Sequence, residues 1–304
     1  MQVVIAGGTG LIGRALAAHL VDHNYQVTVL SRQPRPAAAL GLPDGVRVER
    51  WDGRTAEGWG SLADGAHAIV NLAGESLAAG RWTAERKQRI LNSRVNAGRA
   101  IVEAVQKAAK KPGVVVQSSA VGYYGPRGDE DVTEDTAAGD DFLARVCVSW
   151  EASTASVAEV GVRHVVIRSG LVLSAEGGAL PRMALPFRLF MVGRLGSGRQ
   201  WLPWIHIADE VSAVRFLIEQ EKASGPFNLT APHPLTNEAF SGGLAGAMNR
   251  PAWMPVPAFM LRLLLGEMAT TVLTGQQALP RRLLDLGFAF RFPQAEPALR
   301  DLLR

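Results

Sequence analysis

Val3-Val4-Ile5-Ala6-Gly7-Gly8-Thr9-Gly10-Leu11-Ile12-Gly13 is the stretch on which the reading of this 304-residue chain turns. An apolar run of strand length meets three glycines spaced three apart. A helical pattern then opens at Arg14, with Ala15, Leu16, Leu20 and Val21 on its apolar side. In that setting one glycine makes a tight turn, a second lets backbone approach a ligand, and a third lets helix and strand pack closely. The first-turn amides and the positive end of the helix dipole then form an anion site around Gly7, Thr9, Gly10, Leu11, Ile12 and Gly13. Strand, turn and helix in this order predict a pyrophosphate there, and so a bound dinucleotide.

Apolar runs at 26–30, 46–50, 68–72, 114–117 and 163–167 read as further strands, with helical stretches between them and a long helix over 85–110. Strands alternating with helices specify an α/β protein, a Rossmann doubly wound and mainly parallel sheet. From about residue 173 glycine and proline become frequent and the rhythm is lost. Residues 205–218 resume it, as a short strand and a helix that return to the sheet, and short apolar helices separated by prolines follow. The expected organisation is a Rossmann domain over 1–172, with 205–220 returning to it, and a smaller C-terminal substrate domain over 173–304.

The chain is 47% hydrophobic and 20% charged, ordinary for a globular protein. Its net charge of +4 is scattered, and the pairs Lys110-Lys111 and Arg281-Arg282 lie among apolar or acidic neighbours, so no nucleic-acid partner is expected. Cys147 is the only cysteine, which excludes an intrachain disulfide and argues against a cysteine metal site. His206 has no His or Cys near it in sequence, and no metal is expected. Arg262, Gly266 and Glu267 break the apolar stretch 258–273, which is short of the roughly 20 residues that cross a bilayer. With no basic region before the first apolar run, neither a signal peptide nor a membrane partner is expected, and the expected compartment is the cytoplasm. A homodimer is left open.

Gly-Gly-Thr-Gly-Leu-Ile-Gly over 7–13 departs from the G-x-G-x-x-G spacing. It resembles the extended branch of the short-chain dehydrogenase/reductase superfamily. Further segments resemble the bacterial nucleoside-diphosphate-sugar epimerase family with a small characteristic C-terminal domain. They are Asn71-Leu72-Ala73-Gly74, Ser118-Ser119-Ala120-Val121-Gly122-Tyr123-Tyr124-Gly125, the run 196–207, Gly275-Gln276-Gln277-Ala278-Leu279-Pro280 and Gly287-Phe288-Ala289-Phe290-Arg291. The resemblance implies that Leu72, Ala73, Gly74 and Ser118 border the cofactor, that Asp52 meets the adenine amine, and that Glu75 lies on the substrate side. As an isolated residue in a turn, Asp52 is equally a turn former.

The residue after the second strand separates NAD from NADP, because an acid there would hold a ribose 2′-hydroxyl and repel a 2′-phosphate. Here the strand ends in Ser31-Arg32, with Arg35 close by. Guanidinium groups offer paired donors to a phosphate and Ser31 adds a hydroxyl, so the expected cofactor is NADP(H).

Catalysis is harder to read. The resemblance implies a Tyr-x-x-x-Lys pair, whose lysine lowers the tyrosine pKa for proton exchange with a substrate oxygen. No Tyr or Lys occurs between Tyr124 and Lys222, and Leu143 and Cys147 stand in the pair's register. Substitutes are Tyr123 or Tyr124 as acid, Ser119 polarising a carbonyl, and Cys147 with Glu151 one helical turn away as a thiol–carboxylate pair. A lone cysteine on an apolar helix is also ordinary core packing. On the substrate side Arg199 is placed to meet an anion and Trp201 to form a flat wall, while His206 and Asp209 read as structural. The expected function is an NADP(H)-dependent oxidoreductase or epimerase-like enzyme acting on a small carbonyl or hydroxyl compound, with a sugar nucleotide among the candidates. A non-catalytic NADP(H)-binding protein is the alternative, because the tyrosine–lysine pair is absent.

Overall fold

A computed structural model describes residues 1–188, 193–250 and 255–303. In chain order the first half comprises β1 (Gln2–Ala6), α1 (Leu11–Asp22), β2 (Gln26–Ser31), β3 (Arg47–Arg50), β4 (Ala68–Asn71), α2 (Ala84–Lys107), β5 (Val114–Ala120), β6 (Asp131–Val132), α3 (Phe142–Ala152) and β7 (Arg163–Ser169). There follow β8 (Leu171–Leu173), α4 (Leu180–Arg188), β9 (Trp201–Leu202), β10 (Trp204–His206), α5 (Ile207–Glu219), β11 (Gly225–Leu229), β12 (Leu235–Thr236) and α6 (Asn237–Ala247). The tail carries α7 (Ala258–Leu265), α8 (Thr270–Leu273), β13 (Gln277–Ala278), α9 (Arg281–Asp285) and α10 (Ala295–Leu302).

Among the described residues, seven strands form one parallel sheet in the order β11-β7-β5-β4-β1-β2-β3. Side chains alternate across it, as the period of two requires. Val3, Ile5, Val70, Val116 and Ile167 face α1 and α5, while Val4, Ala6, Ile69 and Val115 face the Ala97, Ala100, Ile101 and Ala104 stripe of α2. Burial on both faces explains why these strands are continuous apolar runs. The chain reverses its winding between β1 and β4, and the loops leaving their C-terminal ends part there to open a crevice.

Two assignments differ from the sequence reading. Trp204–His206 pairs with β8 in a separate two-stranded sheet, although α5 does pack on the main core through Val211, Val214 and Leu217. The seventh strand is β11 instead, at the sheet edge beside β7. Its Pro226 lacks a donor, which an edge strand tolerates. The Pro226 carbonyl accepts from Arg282 Nη1 at 2.7 Å, and the Asn228 amide donates to Glu134 Oε1 at 3.0 Å. A smaller apolar cluster of Leu180, Phe187, Trp204, Phe240, Phe292 and Leu299 joins α4, α6 and α10 outside the main sheet. No helix among the described residues is long and apolar enough to cross a membrane.

One core carboxylate sets a pH dependence. Glu210 of α5 is fully buried, and its Oε1 accepts from the Ser169 hydroxyl at 2.6 Å. Burial pushes its carboxyl from 4.5 up to about 7. The folded state therefore holds a proton that the unfolded chain has released between those values, and stability falls as pH rises through that window. Glu210→Gln is expected to flatten this dependence and to stabilise the protein at pH 8 by roughly 3 kcal/mol. Urea midpoints measured at pH 5 and pH 8 check it; parallel shifts in wild type and variant would count against it.

Candidate cofactor and active site

The crevice at the winding reversal holds a cavity of about 630 Å³. Its floor is the glycine turn. Gly7 has φ +80°, and a Cβ on it would lie 2.7 Å from the Leu72 carbonyl carbon and oxygen. A Cβ on Gly13 would lie 2.5 Å from the Gly7 oxygen and the Gly8 Cα. Both positions exclude any side chain, so α1 sits tight against β1 and the turn touches the loop after β4. Gly10 caps α1 with no side-chain hydrogen bond and no acid follows in the first turn, which leaves those amides to an external anion.

Four other segments complete the walls. Leu30, Ser31 and Arg32 close β2; Trp51, Asp52, Gly53 and Arg54 follow β3; Leu72, Ala73, Gly74 and Glu75 follow β4; Arg89, Asn92, Ser93 and Asn96 come from α2. The loop after β4 is fixed by the Asn71 side chain, which accepts from the Ala73 amide at 3.2 Å and donates to Gln117 at 2.9 Å. Glu75 pairs with Arg86 at 3.2 Å and with Arg89 at 3.5 Å. Asp52 accepts from the Arg54 amide at 2.7 Å, the Thr55 amide at 2.9 Å and the Thr55 hydroxyl at 3.0 Å. Burial raises its pKa, but these donors outweigh it and hold the carboxyl below its ordinary value.

Among the residues nominated from sequence, Gly7, Thr9, Gly10, Ser31, Arg32, Asp52, Leu72, Ala73, Gly74 and Glu75 line one cavity. Leu11, Ile12 and Gly13 form the helix start behind it, while Arg35, Ser118, Arg199 and Trp201 do not line it. The Trp201 indole donates to Asp129 at 2.8 Å and Arg199 is exposed. His206 caps α5, accepting from the Ala208 amide, and stacks on Phe292 at 4.0 Å; Asp209 accepts from the Arg291 and Phe292 amides. Arg54 and the α2 residues were not nominated. The latter follow an i, i+3, i+4, i+7 polar stripe at 89, 92, 93 and 96, a helical period legible in the sequence.

Beyond the cavity lies a buried polar network at the C-terminal ends of β5 and β7. Arg168 donates to both Glu151 oxygens at 2.9 Å and to the Tyr124 oxygen at 3.0 Å, with its guanidinium carbon 3.5 Å from the Tyr123 ring centre. Burial works against the Arg168 charge, but the Glu151 carboxylate more than offsets it and holds the group protonated. The Ser119 hydroxyl donates to Glu151 at 2.6 Å. Tyr124 is fully buried and donates to Asn228 at 2.7 Å; burial pushes its hydroxyl up to about 12. Burial likewise pushes the Cys147 thiol up to about 11, so little thiolate exists at neutral pH. Leu143 and Cys147 pack against Gly122, with Leu143 Cβ 3.5 Å and Cys147 Sγ 4.0 Å from where a Cβ there would stand. Among the described residues no three His, Cys, Asp or Glu side chains gather as a metal site.

Comparison with known proteins places this architecture. Residues 3–230 match the family model described as the NAD dependent epimerase/dehydratase family, and residues 256–302 match a domain of unknown function, DUF1731. The epimerase family protein YfhF of Bacillus subtilis is 39% identical over 306 residues, covering 100% of this chain and 98% of that one. The crystal structure of human epimerase family protein SDR39U1 (isoform 2) with NADPH superposes with a TM-score of 0.88 at 33% identity, covering 99% of both chains. That of the nucleoside-diphosphate sugar epimerase from Corynebacterium glutamicum gives 0.80 at 33% identity, covering 100% of this chain and 58% of that one. The chain belongs to the NAD dependent epimerase/dehydratase family, with a DUF1731 domain at its C-terminal end.

Proposed function

We propose that the protein binds NADP(H) in this cavity and is an oxidoreductase or epimerase-like enzyme for a small carbonyl or hydroxyl substrate. The observation that carries the reading is the cavity wall itself. A glycine cradle with no room for a Cβ faces Arg32, at the position where an NAD-specific site would place an acid. The human relative solved with NADPH supports the same cofactor. Gly7, Thr9 and Gly10 would take the pyrophosphate, Ser31 and Arg32 the 2′-phosphate, and Leu72 to Gly74 would border the nucleotide. When bound, the nicotinamide supplies or accepts a hydride.

Of the two tyrosines, Tyr123 is then the candidate proton donor. Its hydroxyl has no hydrogen-bond partner among the described residues, whereas the Tyr124 hydroxyl is engaged on both sides. The Ser119 hydroxyl is held by Glu151. The test is NADPH oxidation, followed as loss of absorbance, across a panel of carbonyl compounds and sugar nucleotides. Where turnover is found, Tyr123→Phe is expected to lower kcat by about 10²- to 10⁴-fold with NADPH affinity unchanged; an unaltered kcat removes Tyr123 from the mechanism.

A second reading has its own support. Ser119, Glu151, Arg168 and Tyr124 satisfy one another, and the Cys147 thiol stays protonated. A protein that retains NADPH tightly and turns over nothing in the panel would be a binding module.

A further inference from the structure

The loop after β3 is built as a rigid shelf. Both the Trp51 and the Trp59 indoles donate to the Thr55 carbonyl at 2.9 Å, and both rings are buried and meet edge to face. The Asp52 carboxylate closes the turn from inside through its three bonds to Arg54 and Thr55. These five bonds fix the backbone of residues 51–55, a span that in most proteins would be mobile. On this shelf sits Arg54, exposed and lining the cavity.

Arg32 reaches the same place from β2. Its Cδ lies 3.7 Å from where a Cβ on Gly53 would stand, so Arg32 packs against the residue that precedes Arg54. Both line the cavity, and neither guanidinium has a hydrogen-bond or carboxylate partner among the described residues. Asp52 is the acid nearest in sequence, but both its oxygens are committed to the turn. Two unpartnered cations lining one cavity favour a multiply charged anion there.

We infer that Arg54, presented by the tryptophan-pinned shelf, forms with Arg32 a two-sided clamp for a ribose 2′-phosphate, and that Arg35 takes no part. The inference rests on the proposed NADP(H) reading and deepens it by naming a specificity-determining residue on the third strand's loop. A guanidinium can donate two parallel hydrogen bonds to a phosphate, and a clamp from two loops fixes the phosphate from two directions. The rigid shelf lowers the ordering cost of presenting that group.

The test is calorimetric titration of the wild type, Arg54→Gln, Arg32→Gln and Arg35→Gln. The probes are NADPH, NADH, adenosine 2′,5′-bisphosphate and AMP. Arg54→Gln is expected to weaken NADPH and the bisphosphate by roughly 10- to 100-fold, with NADH and AMP changed by less than about twofold. Arg35→Gln is expected to behave as the wild type. Raising the salt concentration should weaken NADPH more than NADH in the wild type, and this gap should narrow in Arg54→Gln.

An unchanged NADPH-to-NADH ratio in Arg54→Gln overturns the inference while leaving NADP(H) binding intact. So does an equal loss of all four probes, which would mean that the shelf had collapsed. An effect of Arg35→Gln matching that of Arg54→Gln would place the second cation on the wrong loop. A wild type that binds neither dinucleotide fails at the earlier step and removes the proposed function itself.

Discussion

Gly13→Val is expected to abolish dinucleotide binding and to destabilise the fold by about 3 kcal/mol or more. The reason is what surrounds the missing Cβ. The Gly7 oxygen and Gly8 Cα at 2.5 Å and the Gly8 carbonyl carbon at 2.7 Å are all backbone, so no side chain can rotate away. To admit valine, α1 must lift from β1, and the first-turn amides would move with it. Gly10→Ala is the control for stability alone, since a Cβ there meets only the Gly7 oxygen at 3.3 Å within the protein and a shift of a few tenths of an ångström suffices. Urea midpoints on both variants check the contrast in stability, and NADPH titration of Gly13→Val checks the loss of binding. Near-normal binding in Gly13→Val would show that the turn does not cradle the pyrophosphate.

The second large effect is expected at the Arg168–Glu151 pair. Glu151→Ala should cost about 3–5 kcal/mol of stability, because it strands a buried guanidinium whose two best acceptors are gone. Arg168 also donates to the Glu134 carbonyl and to Tyr124, so it ties the turn after β5 to β7 and the segment around 134. Set against the singles Glu151→Leu and Arg168→Met, the double variant carrying both removes both charges and is expected to lose clearly less than the sum of the two single losses. A denaturant double-mutant cycle measures this. Additive losses would mean that the two groups do not act as a pair.

The fold was legible where strands are buried on both faces, since each such strand is an unbroken apolar run. The glycine turn was legible because its spacing is local. The edge strand β11 was not, because Gly225-Pro226-Phe227-Asn228-Leu229 mixes a breaker and a polar residue into the run. Its pairing is secured by Glu134, Leu279 and Arg282, far away in sequence. The same limit applies to the site. Arg32 follows directly from its place after β2, whereas Arg54 joins it only because β3 lies beside β2 with Ser31 opposite Arg50. From sequence Cys147 and Tyr124 can be read as chemical or structural groups, with packing the stronger reading for Cys147; the burial of both side chains supports packing and has no local signature in the sequence.

The side chains on the outer flank of β11 have a consequence for behaviour at high concentration. A bare sheet border is a template on which another chain can stack its own strand. Here Glu134 and Arg282 occupy the hydrogen-bonding groups that such a chain would need, and the opposite border, β3, carries Arg47, Glu49 and Arg50. One border of the ribbon is thus capped and the other carries charged side chains, an arrangement that disfavours edge-to-edge stacking of this sheet.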